Sequence, residues 1–244
     1  MSLRFVVLDC VYDIWDHPIV SELFSEIVSL KRHGYQKAYG PDTLANGEID
    51  FIGTHNLICD EIHGKLVPLM GYLSITRERA KRFKVPFPAL SLVQANGGAD
   101  HVTVVRSIID ACEKEGTSLS YESLWTIDPA LVRDKVLYKK LHALFKAQQV
   151  LYLTQYKIEQ SILGGAIRFG VDNLFRLWGY EPLRLNGSAL PPIRVARAGG
   201  APTLMLHVKQ ISADALAFAE QYREMWENRI VIDADTCQLI KRVA

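Results

Sequence analysis

The 244-residue chain has little of what marks the specialised protein classes. Its formal net charge is +1, so no overall field draws it to nucleic acid or to an anionic membrane surface. No apolar run reaches the roughly 18 residues of a spanning helix, and no integral membrane segment is expected. The N-terminus alternates apolar residues with Asp9, Asp13 and Asp16, which is not the pattern of a signal peptide. The four cysteines, Cys10, Cys59, Cys112 and Cys237, are dispersed and lack metal-ligand or redox spacing. They read as reduced, mostly buried thiols of a cytoplasmic protein. The seven histidines form no His-x-x-x-His or Cys/His cluster, so no metal is expected. No Gly-x-Ser-x-Gly elbow or P-loop appears, and no linker-like segment or internal repeat divides the chain.

What is present is an alternation of strand and helix patterns. Leu3–Tyr12 reads as a strand, and Pro18 opens a helix whose Ile19, Leu23, Ile27 and Leu30 recur at helical spacing to about Lys37. Thr54–Glu61 and Leu66–Thr76 form a hairpin pattern around His63-Gly64-Lys65. Residues 77–100 are the least regular part. A helix from Val102 to Glu115 closes on Gly116, and a strand follows at Ser118–Ile127. A long helical pattern covers 132–163, with a strand at 165–172 and a short helix at Leu174–Gly179. The Pro/Gly-rich segment 187–202 exceeds ordinary loop lengths and is expected to be a flap or an excursion. A strand at Thr203–Ile211 precedes a final helix that Ser212 caps. The sum is an α/β (α+β) fold: one domain over 1–244, a central mixed sheet with helices on both faces, and a C-terminal helical extension over about 212–244.

The richest stretch is Tyr121-Glu122-Ser123-Leu124-Trp125-Thr126-Ile127-Asp128-Pro129, an apolar strand carrying one carboxylate. Strand alternation puts Glu122, Leu124 and Thr126 on one face and Tyr121, Ser123 and Trp125 on the other. Glu122 therefore lines a polar cleft, where it can act as a general base, or lies on an exposed strand face in a salt bridge. After Pro129 the chain turns into a basic helical pattern with Arg133, Lys135, Lys139 and Lys140. A helix N-terminus at a strand end favours an anion, and these cations fit the diphosphate of CoA, an acidic carrier-protein helix, or simply a solvated face. Glu48 and Asp50 flank a turn and either orient an amine or follow the turn chemistry of Asn46-Gly47. Lys31, Arg32 and Tyr35 sit at a helix end, where cations also complement the dipole.

At these residues the chain resembles the acyl-homoserine-lactone synthases and the long-chain N-acyl amino acid synthases, acyltransferases of the GNAT superfamily. The strand at Glu122 is similar to their Glu-x-Ser-Arg-Phe-x-Val run. Leu30-Lys31-Arg32-His33-Gly34-Tyr35 is similar to their Leu-Arg-x-x-Val-Phe helix end, and Glu48-Ile49-Asp50 to their Glu-x-Asp pair. Gly165–Val171 and Tyr180–Leu183 resemble the later strand and the close of the match, which covers roughly 20–187. The sequence departs from that pattern at Leu124, which stands for an arginine. It departs also at Gly53, and at Ser74, whose arginine falls three residues later at Arg77. The tyrosine used as general acid by acetyltransferases is matched by Phe175. The resemblance implies transfer of an acyl group from acyl-CoA or from the acyl-phosphopantetheine of acyl carrier protein to a small-molecule amine such as an amino acid. It implies Glu122 as catalytic base and Lys31, Arg32, Tyr35, Glu48, Asp50 and Arg77 around the substrate. Trp125, Ile127, Arg133 and Lys135 would hold the donor. The departures leave a catalytically silent binding module as the second reading, and a signal synthase making acyl-homoserine lactones as the third.

Overall fold

The computed structural model describes residues 1–43 and 46–237. In chain order the elements are β1 (Leu3–Asp9), α1 (Pro18–Tyr39), α2 (Ile49–Ile52), β2 (Thr54–Ile62), β3 (Lys65–Thr76), α3 (Arg77–Arg82), α4 (Pro88–Asn96), α5 (Ala99–Glu115) and β4 (Leu119–Ile127). They continue with α6 (Lys135–Gln155), β5 (Gln160–Ala166), α7 (Val171–Arg176), β6 (Glu181–Pro182), β7 (Arg184–Leu185), β8 (Ser188–Ala189), β9 (Ile193–Val195), β10 (Ala201–Val208), α8 (Ala213–Glu220), α9 (Arg223–Glu227) and β11 (Ile230–Ile232). The fold is mixed α/β. The chain forms two compact units, one of residues 1–74, 124–151 and 219–244, the other of 75–123 and 152–218.

In the first unit β11 pairs parallel to β1, and β1, β2 and β3 pair antiparallel in that order. The β2–β3 hairpin turns on His63 (φ 51°) and Gly64 (φ 79°), both left-handed, the pair of conformations a two-residue type I′ turn needs. A bulge lies between Ile58 and Cys59 opposite Pro68, which has no amide to give to a ladder. The extra residue, Leu69, turns its carbonyl to Asp128 N–H at 2.8 Å. Two helices cover this sheet on opposite faces. Phe24 of α1 meets His55 edge-on at 5.8 Å, while Phe145 of α6 meets Tyr72, the cross-strand partner of Asn56, at 5.3 Å. His55 and Asn56 are adjacent, so they point to opposite faces. Under α1 the core holds Val6, Leu8, Leu57, Cys59, Val20, Leu23, Phe24 and Ile27. At fully buried apolar positions, burial contributes about 1.5–3 kcal/mol per side chain.

In the second unit β4 pairs parallel to β5 over Leu119–Glu122 against Gln160–Leu163, and β5 pairs antiparallel to β10. Strands β6 and β9 pair antiparallel with β10. The β4–α6–β5 connection is a parallel crossover, and its boundaries differ from the sequence pattern. Helix α6 ends at Gln155 rather than 163, because Lys157 takes a left-handed φ of 53° and turns the chain. The strand is therefore 160–166, not 165–172, and the chain leaves it through a short 3-10 turn at Ile167–Phe169. Residues 77–100 are regular after all. Thr76 Oγ1 accepts from Arg79 N–H at 3.1 Å and starts α3, and Pro88 occupies the first turn of α4. The segment 187–202 is no excursion. Asn186 (φ 50°) and Gly187 (φ 83°) make a second I′ turn between β7 and β8, and β9 then pairs with β10. Ser212 does cap α8, accepting from Ala215 N–H at 3.2 Å. The expected extension over 212–244 is not helical throughout: it breaks between α8 and α9 and returns as β11. Its last residues, 238–244, lie outside those described.

Candidate active site

The expected site residues fall into two buried clusters, one in each unit, and a set of exposed positions. In the second unit Glu122 lies on β4 at 1 % exposure, level with Leu163 at the last parallel pair with β5. Glu122 is therefore not on an exposed strand face. Ser120, two residues earlier on the same face, donates its hydroxyl to Glu122 Oε1 at 2.6 Å. Tyr180 adds a further hydroxyl. It lies near Ser161, and its pKa is raised by burial and then by the Glu122 charge, so it stays a phenol. Neither Ser120, Ser161 nor the link to Tyr180 was singled out by sequence reasoning. The usable signal was Ser120 at i−2 from Glu122 in a strand.

Just past Glu122 the strand departs from regular alternation. Leu124 has φ 56°, a conformation uncommon for a branched side chain. The expected facing of Glu122, Leu124 and Thr126 along one side thus breaks at Leu124, the position where the resembled pattern has an arginine. Trp125 is half-buried and packs edge-on against Phe145 at 4.9 Å, and Ile127 is half-buried.

The first unit carries the other cluster. Lys31 on α1 and Asp50 on α2 are buried at 2 % and 1 % exposure and form an ion pair. Gly47 N–H donates to Asp50 Oδ2 at 2.8 Å, and His55 Nε2 donates to the Asp50 carbonyl at 2.7 Å. That geometry assigns the proton to Nε2. Burial first, and then the Lys31 ammonium, hold His55 down to about 3, so the ring is neutral. His55 was not among the expected site residues; the signal was a histidine opening a strand directly after the Glu-x-Asp pair.

One turn beyond Lys31, α1 approaches β4 too closely for a side chain. A Cβ on Gly34 would lie 2.1 Å from Thr126 Oγ1. The glycine fixes how α1, and with it Lys31, sits on the second half of β4. Phe24, Phe51 and Trp15 extend the wall beside His55, with ring centroids 4.9–5.7 Å apart.

The remaining expected residues are not drawn into these clusters. Arg32 and Glu48 are exposed, and Tyr35 packs against Tyr39 at 5.4 Å. Arg77 pairs with Glu78 at 2.8 Å and donates to the Ile109 carbonyl at 3.3 Å. Arg133 and Lys135 are exposed. The helix expected directly after Pro129 is a 3-10 turn over Pro129–Arg133, and α6 begins only at Lys135. The Asp128 carboxylate accepts from Ala130 N–H at 2.9 Å. Asp134 Oδ1 accepts from Val136 and Leu137 at 3.1 and 3.0 Å. One carboxylate thus takes the Ala130 amide, and another takes two amides in the first turn of α6. Among the described residues no group of three or more His, Cys, Asp and Glu side chains could hold a metal ion, and no helix is long and apolar enough to cross a membrane.

No protein-family model matches the sequence, and no curated protein matches it. Among solved structures, the CoA-dependent acyl-homoserine lactone synthase BjaI aligns with a TM-score of 0.50 at 14 % identity, covering 94 % of this chain and 92 % of that one. The fold is GNAT-like. FeeM, an N-acyl amino acid synthase from uncultured soil microbes, aligns with a TM-score of 0.47 at 12 % identity over 85 % of this chain and 93 % of its own. The mosquito protein arylalkylamine N-acetyltransferase like 5b aligns with a TM-score of 0.46 at 12 % identity over 86 % of this chain and 100 % of its own. In this GNAT-like chain Glu122 lies on β4, where the pairing with β5 stops.

Proposed function

We propose that the protein is an N-acyltransferase that moves an acyl group from a thioester to the amine of a small molecule such as an amino acid. The observation that carries this reading is Glu122, a carboxylate at 1 % exposure whose partners include the Ser120 hydroxyl and whose charge reaches Tyr180. Burying a carboxylate among hydroxyls is costly in an inert scaffold and useful where a proton must be accepted. Solved structures of BjaI, a neighbour of this fold, include one with SAM and isopentyl-CoA, which supports a thioester donor.

In this reaction the amine nitrogen bonds to the thioester carbonyl carbon and gives its proton to Glu122. The C–S bond breaks, sulfur leaves with the bond pair, and the thiolate takes up a proton from Glu122 or solvent. Most of the acceleration comes from holding amine and thioester together, with backbone amides of β4 polarising the carbonyl. The donor is acyl-CoA or an acyl carrier protein, lying along Trp125 and Ile127, with Arg133 and Lys135 meeting its phosphates. Lys31, Asp50, Arg32, Tyr35, Glu48 and Arg77 shape the acceptor region, Lys31 and Asp50 through their ion pair. Both units belong to one cytoplasmic acyltransferase domain, since the chain passes between them four times.

The test is incubation of the purified protein with acyl-CoAs or acyl carrier protein and a panel of amines, read by mass spectrometry. Glu122→Gln should lower turnover by about 10²–10⁴-fold while donor affinity holds. Transfer at the wild-type rate by the variant would remove Glu122 from the chemistry. A wild type that binds donor and transfers nothing would favour the silent binding module.

A further inference from the structure

The two buried carboxylates of this protein are treated differently by their surroundings. Asp50 is neutralised by a lysine ammonium. Glu122 accepts from the Ser120 hydroxyl at 2.6 Å, and the sheet brings a second serine to the same face. Ser120 and Glu122 share a face of β4, and Ser161 is the cross-strand partner of Ser120 in the parallel ladder. Paired residues of a ladder project to the same side, so Ser120, Glu122 and Ser161 form one polar patch, each at 1 % exposure or less.

Tyr180 is delivered to that patch by a tight turn. Gly179 has φ 94°, and a Cβ there would lie 2.7 Å from the Gln210 carbonyl, so only glycine fits. Tyr180 N–H then donates to the Phe175 carbonyl at 3.1 Å, and the two rings pack edge-on at 5.2 Å. The phenol is thereby fixed at 1 % exposure, near Ser161 and within reach of the Glu122 charge. Tyr121, the next ionisable neighbour on β4, points to the other face, where its phenol pairs with Arg197.

We propose that Ser120, Ser161 and Tyr180 form a hydroxyl cradle that holds the Glu122 carboxylate charged and aimed, with Tyr180 and Ser120 as positioning residues for acyl transfer. Hydroxyl donors stabilise a carboxylate anion and leave it lone pairs that can accept a proton. The inference rests on Glu122 as the base of the proposed reaction.

Two variants test it in the full chain, Tyr180→Phe and Ser120→Ala, each checked for folding by circular dichroism. The Glu122 carboxyl is followed by isotope-edited infrared titration of protein with labelled glutamate, with Glu122→Gln identifying its band. Loss of a donor to the anion should move the carboxyl titration up by about one pH unit in either variant. The acidic limb of kcat/KM should move with it, and kcat should fall about tenfold with donor KM unchanged. A purely structural role would change thermal stability and leave both titrations in place. Should Tyr180→Phe not fold, Ser120→Ala decides. An unmoved carboxyl titration in a folded variant overturns the cradle whether or not the enzyme is active. A moved titration in a wild type that transfers no acyl group supports the cradle and refutes the acyltransferase reading instead.

Discussion

Lys31→Met keeps the length of the buried stem and removes the ammonium that faces Asp50. The two side chains are 2 % and 1 % exposed, so solvent screens little of their interaction. Breaking one side of a buried ion pair typically costs about 3–5 kcal/mol, because the remaining charge is left without compensation. Adding Asp50→Asn removes that charge while keeping an acceptor for Gly47 N–H, and the double variant should lose only about 1–2 kcal/mol. Urea unfolding followed by tryptophan fluorescence reads both. With a slope near 3 kcal/mol/M, the single variant should unfold about 1 M earlier or more, and the double variant well under 1 M earlier. His55 provides an independent signal. The Lys31 charge is the second cause, after burial, that holds its pKa near 3, so in Lys31→Met the ring should titrate higher by NMR, still below its free value. A single variant that unfolds at the wild-type midpoint, with His55 unmoved, would refute the buried pair.

The elements that could be read from sequence are those whose local chemistry and burial agree. The His63-Gly64 hairpin, the α5 stop at Gly116 and the Ser212 cap each depend on residues close in sequence. Boundaries failed where one residue overrode the periodicity. Lys157 adopts a left-handed turn that no propensity favours, and apolar Ile158 and Ile162 carried the helical pattern past it into β5. Asn186-Gly187 was a legible hairpin signal hidden by the prolines after it. In the site, Glu122 and the Lys31–Asp50 pair lay in recognisable short runs. The groups around Glu122 did not, because Ser161 joins its face through strand register and Tyr180 is placed by the Gly179 turn, which one-dimensional spacing does not express. The helix start after Pro129 was misplaced for a different reason: Asp128 and Asp134 are capping residues that divide the segment into a 3-10 turn and α6.

Gly34→Ala should destabilise the protein by about 1–3 kcal/mol, since its methyl would overlap Thr126 Oγ1, and Thr126→Ala in the same chain should restore much of the loss. Unchanged thermal stability of the single variant would mean that α1 does not press on β4. Arg133→Glu with Lys135→Glu should weaken donor binding, and wild-type affinity should fall with added salt; indifference to both would leave these cations as plain surface. Acid should weaken the fold through two histidines. Burial first, then the Lys31 charge, hold His55 to about 3, and burial first, then Lys209, hold His207 to about 4. Both lie below the unfolded value near 6.5, so on acidification the unfolded chain takes up protons that the native state refuses. The stability due to the neutral rings is complete above pH 6.5 and is lost progressively as pH falls towards 4 and 3. Between pH 6.5 and 5 the fully buried His55 should cost about 2 kcal/mol, and the partly exposed His207 about half of that. Urea midpoints measured at intervals from pH 7 to 5 should fall accordingly. In His55→Gln, whose amide can still donate to the Asp50 carbonyl, the fall should be shallower by His55's share. A variant as steep as the wild type would show that His55 already carries its proton in the native state, and its assigned burial as a neutral ring would be wrong.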